Sequence, residues 1–469
     1  MREHTVAGPA NGRSPAEGPV PQGSANGRAA VRVPHVPGVG IAGPPMAPLA
    51  GGASLAGASA PPLALPGSHF VVALLFLLLG TAGLVWAAPD LAAGMFPQRR
   101  VVAVTHLFTL GWITTSILGA LCQLLPVVLG QPLRSTRAAY ATLALHAPGL
   151  LLFVIGLVTV QRFALLAGAA LFGTGLLLFV GNLALTLARI PRRDLTWWCL
   201  AGAAFFLTAT VALGVTLAGN LHYGYLGGSR LLVLGVHVHI AIAGWVLLVV
   251  VGVARHLLPM FLLSHGVPLW PAKSAAALLG AGVMVLALGH HAGVLVGYML
   301  PALLIAAGTA AFLVQAALFF RHRRRPRLDA GMRLAAAALA MLALALALAP
   351  LVLVRGFGAP RLATAYGAAL VLGLALFVAG HFYKILPFLV WNHRYGPLIG
   401  KRPLPRVAEL FSARTANVAA VLLALGAFGL IGAVLGGTAA WARADAALIV
   451  AGGGILTAQM IGVLRRRPE

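Results

Sequence analysis

The sequence predicts an all-α polytopic membrane protein with twelve transmembrane helices in three pseudo-repeated four-helix units. Three observations predict it: an apolar composition, long apolar runs that recur from about residue 68 to the C-terminus, and cations gathered between those runs. Of 469 residues, 60% are hydrophobic and 9% charged, with a mean hydropathy of +0.95. A soluble domain of this length needs far more charge on its surface. Runs of about 20 apolar residues are long enough to cross a bilayer.

The first element is a tail. Residues 1–66 are dominated by Gly, Pro, Ala and Ser, as in PANGRSPAEGPVPQGSANGRAA. No period of 2 or 3.6 emerges, so the segment reads as a disordered tail on the cytoplasmic side, with 67–469 the membrane domain. It has no compact apolar stretch of the kind a signal peptide carries.

The twelve helices follow, near 68–89, 101–130, 137–160, 162–188, 196–219, 231–262, 272–291, 295–320, 330–354, 361–391, 414–438 and 441–464. Of 33 cations, 24 lie in the N-tail, the loops after even-numbered helices and the C-tail, and 7 in the loops after odd-numbered helices. The positive-inside rule then puts both termini in the cytoplasm, and the membrane is read as a bacterial inner membrane. The same rule accounts for the formal charge of +25, so no nucleic-acid partner is implied; the bilayer is the partner. Cys122 and Cys199 fall inside apolar runs without a CxxC partner and read as small buried hydrophobes.

Helices 2 and 6 repeat a motif. HLFTLGWITTSILGALCQLLPV starts at His106 and HIAIAGWVLLVVVGVARHLLPM at His239. Without gaps they share the His, Gly111-Trp112 with Gly244-Trp245, Gly119 with Gly252, and Leu-Leu-Pro. Helix 10 offers GAALVLGLALFVAGHFYKILPF, with Gly367 in the histidine position, Gly380 as the later glycine, and Leu386-Pro387. Similar helices four apart imply three related units.

Intramembrane histidines are costly and usually functional. With helices 2 and 6 running inward and helix 7 outward, His106, His237, His239, His290 and His291 arrive at one outer level. Residues two apart point about 200° apart on a helix, so His237 and His239 cannot both face one site. The register with helix 2 favours His239. His290 and His291 can share a metal only where the helix departs from regularity, which Gly289 and Gly293 permit. With a histidine from helix 6 they make a three-imidazole site for copper, iron or zinc.

These features resemble subunit I of the haem–copper oxidases, the family of cytochrome c oxidase subunit I: twelve helices, a threefold pseudo-repeat, a His early in helix 2, a His in helix 6 and His-His ending helix 7. The resemblance spans about residues 68–464 and implies haem ligation by His106, and copper or a related metal on His239 or His237 with His290 and His291. It also implies redox chemistry or handling of a diatomic gas (NO or O₂), an electron-donor protein or partner subunits, and oxidoreductase chemistry if the chain is an enzyme. The proteins of nitric oxide stress resemble it more than terminal oxidases do.

The sequence departs from that family in helix 10, where the outer stretch RLATAYGAALV has no histidine. His381 is the remaining haem-ligand candidate, and it sits fourteen residues deeper than His106 in the repeat register. No tyrosine lies one turn from the helix 6 histidines, and Tyr298 follows the His-His pair. All eight acidic residues read as tail or loop, so proton pumping is not expected. The alternative function is a non-enzymatic transporter or a metal- or haem-handling protein on the same fold. Gln123, His256 and Lys384 share one register position at the inner end, near Arg255. There the sequence predicts helix-terminal cations meeting carbonyl dipoles and headgroups.

Overall fold

A computed structural model describes residues 61–289 and 293–468, apart from the side chains of Val296 and Phe357. Most of the predicted tail, and His290 and His291, lie outside the described residues. The membrane domain is all helix, with no strand among the described residues.

Twelve helices are long and apolar enough to cross a membrane. They are α1 (Ala64–Ala92), α2 (Arg99–Leu129), α3 (Thr136–Thr159), α4 (Arg162–Leu187), α5 (Leu195–Tyr223), α6 (Gly227–Leu262), α7 (Trp270–Gly289), α8 (Gly297–Arg321), α9 (Ala330–Arg355), α10 (Pro360–Arg394), α11 (Ala413–Gly436) and α12 (Ala439–Arg465). Each matches one predicted run. Helix α1 begins before the predicted end of the tail, because Ala64, Leu65 and the helix-compatible Pro66 continue its first turn. Side chains cap several starts, with Asp194 accepting from Trp197 N at 3.0 Å and Asp329 from Met332 N at 3.1 Å.

The most buried spans are α2, α6 and α10, and they pack on one another. Trp112 Nε1 of α2 donates to Ala375 O of α10 at 3.1 Å, and Trp245 Nε1 of α6 donates to Thr114 Oγ1 of α2 at 3.1 Å. Ala375 and Thr114 occupy the same place in the repeat register, so each indole reaches the corresponding spot on its neighbour.

The helix before each member of this trio packs on it through a glycine. A Cβ on Gly119 would meet His69 Cβ of α1 at 2.7 Å, one on Gly252 would meet Cys199 Cβ of α5 at 2.6 Å, and one on Gly380 would meet Gly331 O of α9 at 2.5 Å. One or two turns away, Gly111 faces Phe76 and Gly244 faces Phe206 at similarly short range. Small residues let helix backbones approach where lipid gives no hydrophobic drive. The pairs α3–α4, α7–α8 and α11–α12 use the same device at Gly149, Gly282 and Gly426.

Two acidic residues are not where the sequence suggested. Asp90 lies in the last turn of α1 and pairs with Arg100 at 3.6 Å, and Asp445 lies in the second turn of α12. Helix α1 runs past the apolar edge used to place it, as helix ends often do, whereas Asp445 falls within the very run, 441–464, that placed α12. The cations in the later turns of α6 and α10 also have specific partners. Arg255 Nη2 lies 2.5 Å from Asp194 Oδ2 and its Nε 2.9 Å from His256 Nε2, while Lys384 pairs with Asp329. Each pair ties the end of an even helix to the cap of the helix before it.

Candidate functional site

The site is built from imidazoles at two depths. At the end of the bundle where α2 and α6 start, His106 and His239 hold equivalent places. Each Nδ1 lies 2.8 Å from the carbonyl four residues earlier on its own helix, that of Val102 or Gly235. A proton on Nδ1 explains both contacts and leaves Nε2 as the nitrogen with a lone pair.

Directly after each histidine the helix changes. Leu107–Thr114 and Ile240–Leu247 are both π-helical and eight residues long. Such segments are rare and concentrate at functional sites. The wider turn frees carbonyls: Leu110 O takes Thr115 Oγ1 at 3.0 Å and His146 Nε2 at 3.2 Å. His146 and His69, which carried no message in the sequence, are among the most buried polar residues.

The helix 6 histidines diverge. His239 Nε2 meets Tyr366 Oη of α10 at 3.0 Å, with the two rings nearly parallel. His237 turns toward α5, where the space of a Cβ on Gly214 is met by its Cε1 at 3.3 Å, and its buried Nδ1 has no hydrogen-bond partner. His106 packs edge-on against Phe153. Tyr366 is the residue that sequence reading missed. It stands one position before Gly367, the helix 10 counterpart of His106 and His239, so the repeat register contained the signal.

The third outer contribution, His290 and His291, lies outside the described residues. On either side, α7 ends at Gly289 and Gly293 has φ +82°, a left-handed backbone that glycine alone adopts cheaply. Tyr298 follows in a π-helical turn, Leu295–Met299. His222, in the last turn of α5, is exposed and meets Arg162 Nη1 at 3.3 Å. Among the described residues, no three His, Cys, Asp or Glu side chains come together as a metal site.

The second depth is a cavity of about 80 Å³ on the axis between α2, α6 and α10. Its walls come almost wholly from the same five register positions on each helix. Ser116, Val249 and Phe377 form one ring; Ala120, Val253 and His381 form the next but one; Leu124, Leu257 and Ile385 line the far end. Phe70 of α1 packs edge-on against Phe382 at its side. His381 Nδ1 lies 2.8 Å from Phe377 O, and its Nε2 is buried without a hydrogen-bond partner. His381 is level with Ala120, fourteen residues past His106, or ~20 Å along the helix, so His106 and His381 do not face one another.

Both cysteines are free and buried, as their apolar surroundings predict. No known family model matches the chain, and no curated protein is similar to it.

Proposed function

We propose that the protein is an integral membrane cofactor protein. Its outer-end imidazoles bind a haem, with copper as a second centre, for redox chemistry or for handling a diatomic gas such as NO or O₂. One observation carries this reading. His106 and His239, at equivalent places before matching π-helical segments, are each oriented through Nδ1 so that Nε2 can serve a metal. A hydrogen bond from the other ring nitrogen to a carbonyl fixes ring orientation in metal sites.

Haem suits the described donors better than copper alone. A porphyrin brings four nitrogens and asks the protein for one or two imidazoles, whereas copper needs about three protein donors. His106 is the residue that would hold the haem, because Nε2 of His239 already meets Tyr366 Oη and would have to exchange that bond. His237, with an unpartnered buried Nδ1, is the further candidate on α6, and a copper centre would draw on His290 and His291. Haem, when bound, supplies one-electron chemistry and an iron that takes gases. The chain orients it, keeps water from it and holds the imidazole protons on Nδ1. The excess of cations at the opposite end supports cytoplasmic termini, and an electron donor or partner subunit would reach the histidines from outside.

The test is the absorbance spectrum and metal content of detergent-purified protein expressed with haem and copper supplied. The expected result is a Soret band that His106→Ala abolishes and that His222→Ala leaves intact. Colourless, metal-free protein, or a band indifferent to His106→Ala and His239→Ala, overturns the proposal. A non-enzymatic transport role is the second reading, favoured by the axial cavity.

A further inference from the structure

We infer that the cleft between α1, α2 and α3 holds the phosphate of an anionic lipid whose headgroup carries no cation, such as phosphatidylglycerol. The cleft lies at the end of the bundle where α2 begins. The site does not depend on the haem reading.

Cations are scarce at this end. Seven lie in the loops predicted after odd-numbered helices, and Arg99-Arg100 is the one adjacent pair among them. Both line an open cleft of about 390 Å³, together with Gln98, Trp86 near the end of α1, and Val158 in the last turn of α3. Arg100 Nε lies 3.6 Å from Asp90 Oδ2, and its guanidinium sits over the Trp86 ring, 5.3 Å from the centroid. Arg99 is half-buried, yet it has neither an ion pair nor a side-chain hydrogen bond among the described residues. With Asp90 offsetting Arg100, the cleft keeps one positive charge, the complement of a phosphodiester.

The backbone adds to this. Arg99 and Arg100 open α2, and the side chain of Gln98 before them does not cap the helix. Amides of a first turn lack intrahelical partners and favour negative charge, which suits a phosphate. The rim suits the rest of a lipid. Trp86 and Val158 are large apolar side chains left 45% and 40% exposed on helices long and apolar enough to cross the membrane. Tryptophan gathers at headgroup level. An acyl chain laid along these two would cover them while the phosphate stays at the arginines. Other guests fit less well. A cation meets two guanidiniums, a neutral molecule leaves Arg99 unpaired, and a choline headgroup brings in a further cation. A soluble anion would pair with Arg99 but leave Trp86 and Val158 bare.

The experiment is native mass spectrometry of full-length, detergent-purified protein titrated with phosphatidylglycerol, phosphatidylcholine or glycerol 3-phosphate. The first phosphatidylglycerol is expected to bind more tightly than phosphatidylcholine. Arg99→Gln should weaken that adduct about fivefold, as for one cation beside an anionic headgroup. Arg99→Lys should keep most of the affinity, and Arg443→Gln, which removes an exposed cation outside the cleft, should keep all of it. Equal affinity for the two lipids, or equal loss in Arg99→Gln and Arg443→Gln, overturns the inference. So does displacement of the lipid by glycerol 3-phosphate at comparable concentration, which would make this a site for soluble anions. A Soret band lost in Arg99→Gln overturns it as well, because the arginine would then hold a haem carboxylate. Colourless protein that still takes phosphatidylglycerol through Arg99 supports it, whatever becomes of the haem reading.

Discussion

The two depths of this bundle treat histidine in opposite ways. At the end where α2 and α6 begin, His106 and His239 repeat one another, down to the carbonyl each holds and the π-helical segment that follows. On the axis the three helices agree in register and differ in chemistry, with one imidazole set among apolar rings. Repetition thus supplies the frame at both depths. Polar side chains enter where a repeat position departs from its counterparts, as His381 does beside Ala120 and Val253, and as Tyr366 does on α10.

If frame and function separate in this way, substitutions should sort by size. The largest effect is expected from Gly380→Leu. A side chain there would run into Gly331 O of α9, a backbone atom that cannot step aside. Overpacking of this kind costs roughly 3 kcal/mol or more. Loss of monodisperse protein in size-exclusion chromatography is expected, whereas His381→Phe should remain monodisperse. Equal loss in both would erase the distinction drawn above.

Next comes the ion pair at the cation-rich end. Asp329→Asn removes the partner of Lys384, whose side chain is only 14% exposed, while Asp329 is more open. With that exposure discounted, a cost of about 1–2 kcal/mol is expected, seen as a lower midpoint of thermal unfolding. Lys384→Met should cost less, since Asp329 keeps its cap bond to Met332 and its neighbour Arg325. A reversed order would mean that the aspartate, not the lysine, is the stranded charge.

A smaller effect is expected where neighbouring helices are bridged by single hydrogen bonds. Tyr366→Phe and His239→Ala should be non-additive in unfolding free energy, with a coupling of about 1 kcal/mol, because they share one bond. Tyr366→Phe should also leave Nε2 of His239 open and raise copper retention during purification, measured by metal analysis. Unchanged retention would place His239 in the frame alone. The smallest effect is expected from Thr114→Val, which deprives Trp245 of its acceptor at a cost of about 0.6 kcal/mol.

Much of this was legible in the chain. The apolar runs announced every span, since no other segment can satisfy its backbone inside lipid. The ungapped match between helices 2 and 6 announced the register that the indoles, the glycines and the cavity rings share. Three things were not legible. The π-helical turns leave no mark on composition. The bond from Tyr366 to His239 joins residues 127 apart in sequence, and the repeat only placed the tyrosine near the right level. The pairing of Arg255 with Asp194, and of Lys384 with Asp329, was hidden because each aspartate reads as a loop residue until its helix cap is seen.

The wide turns after His106 and His239 carry a consequence for how such a scaffold changes over generations. A helix that closes its bonds five residues on, rather than four, holds slack in its winding. Losing one residue from such a stretch would let it close as an ordinary α-helix with both flanking halves kept close to their places, because an extra residue is what the wide turn absorbs. The imidazole at the head of each helix can therefore keep its aim through the loss of one codon just beyond it, a change that in a regular helix would turn it by about 100°.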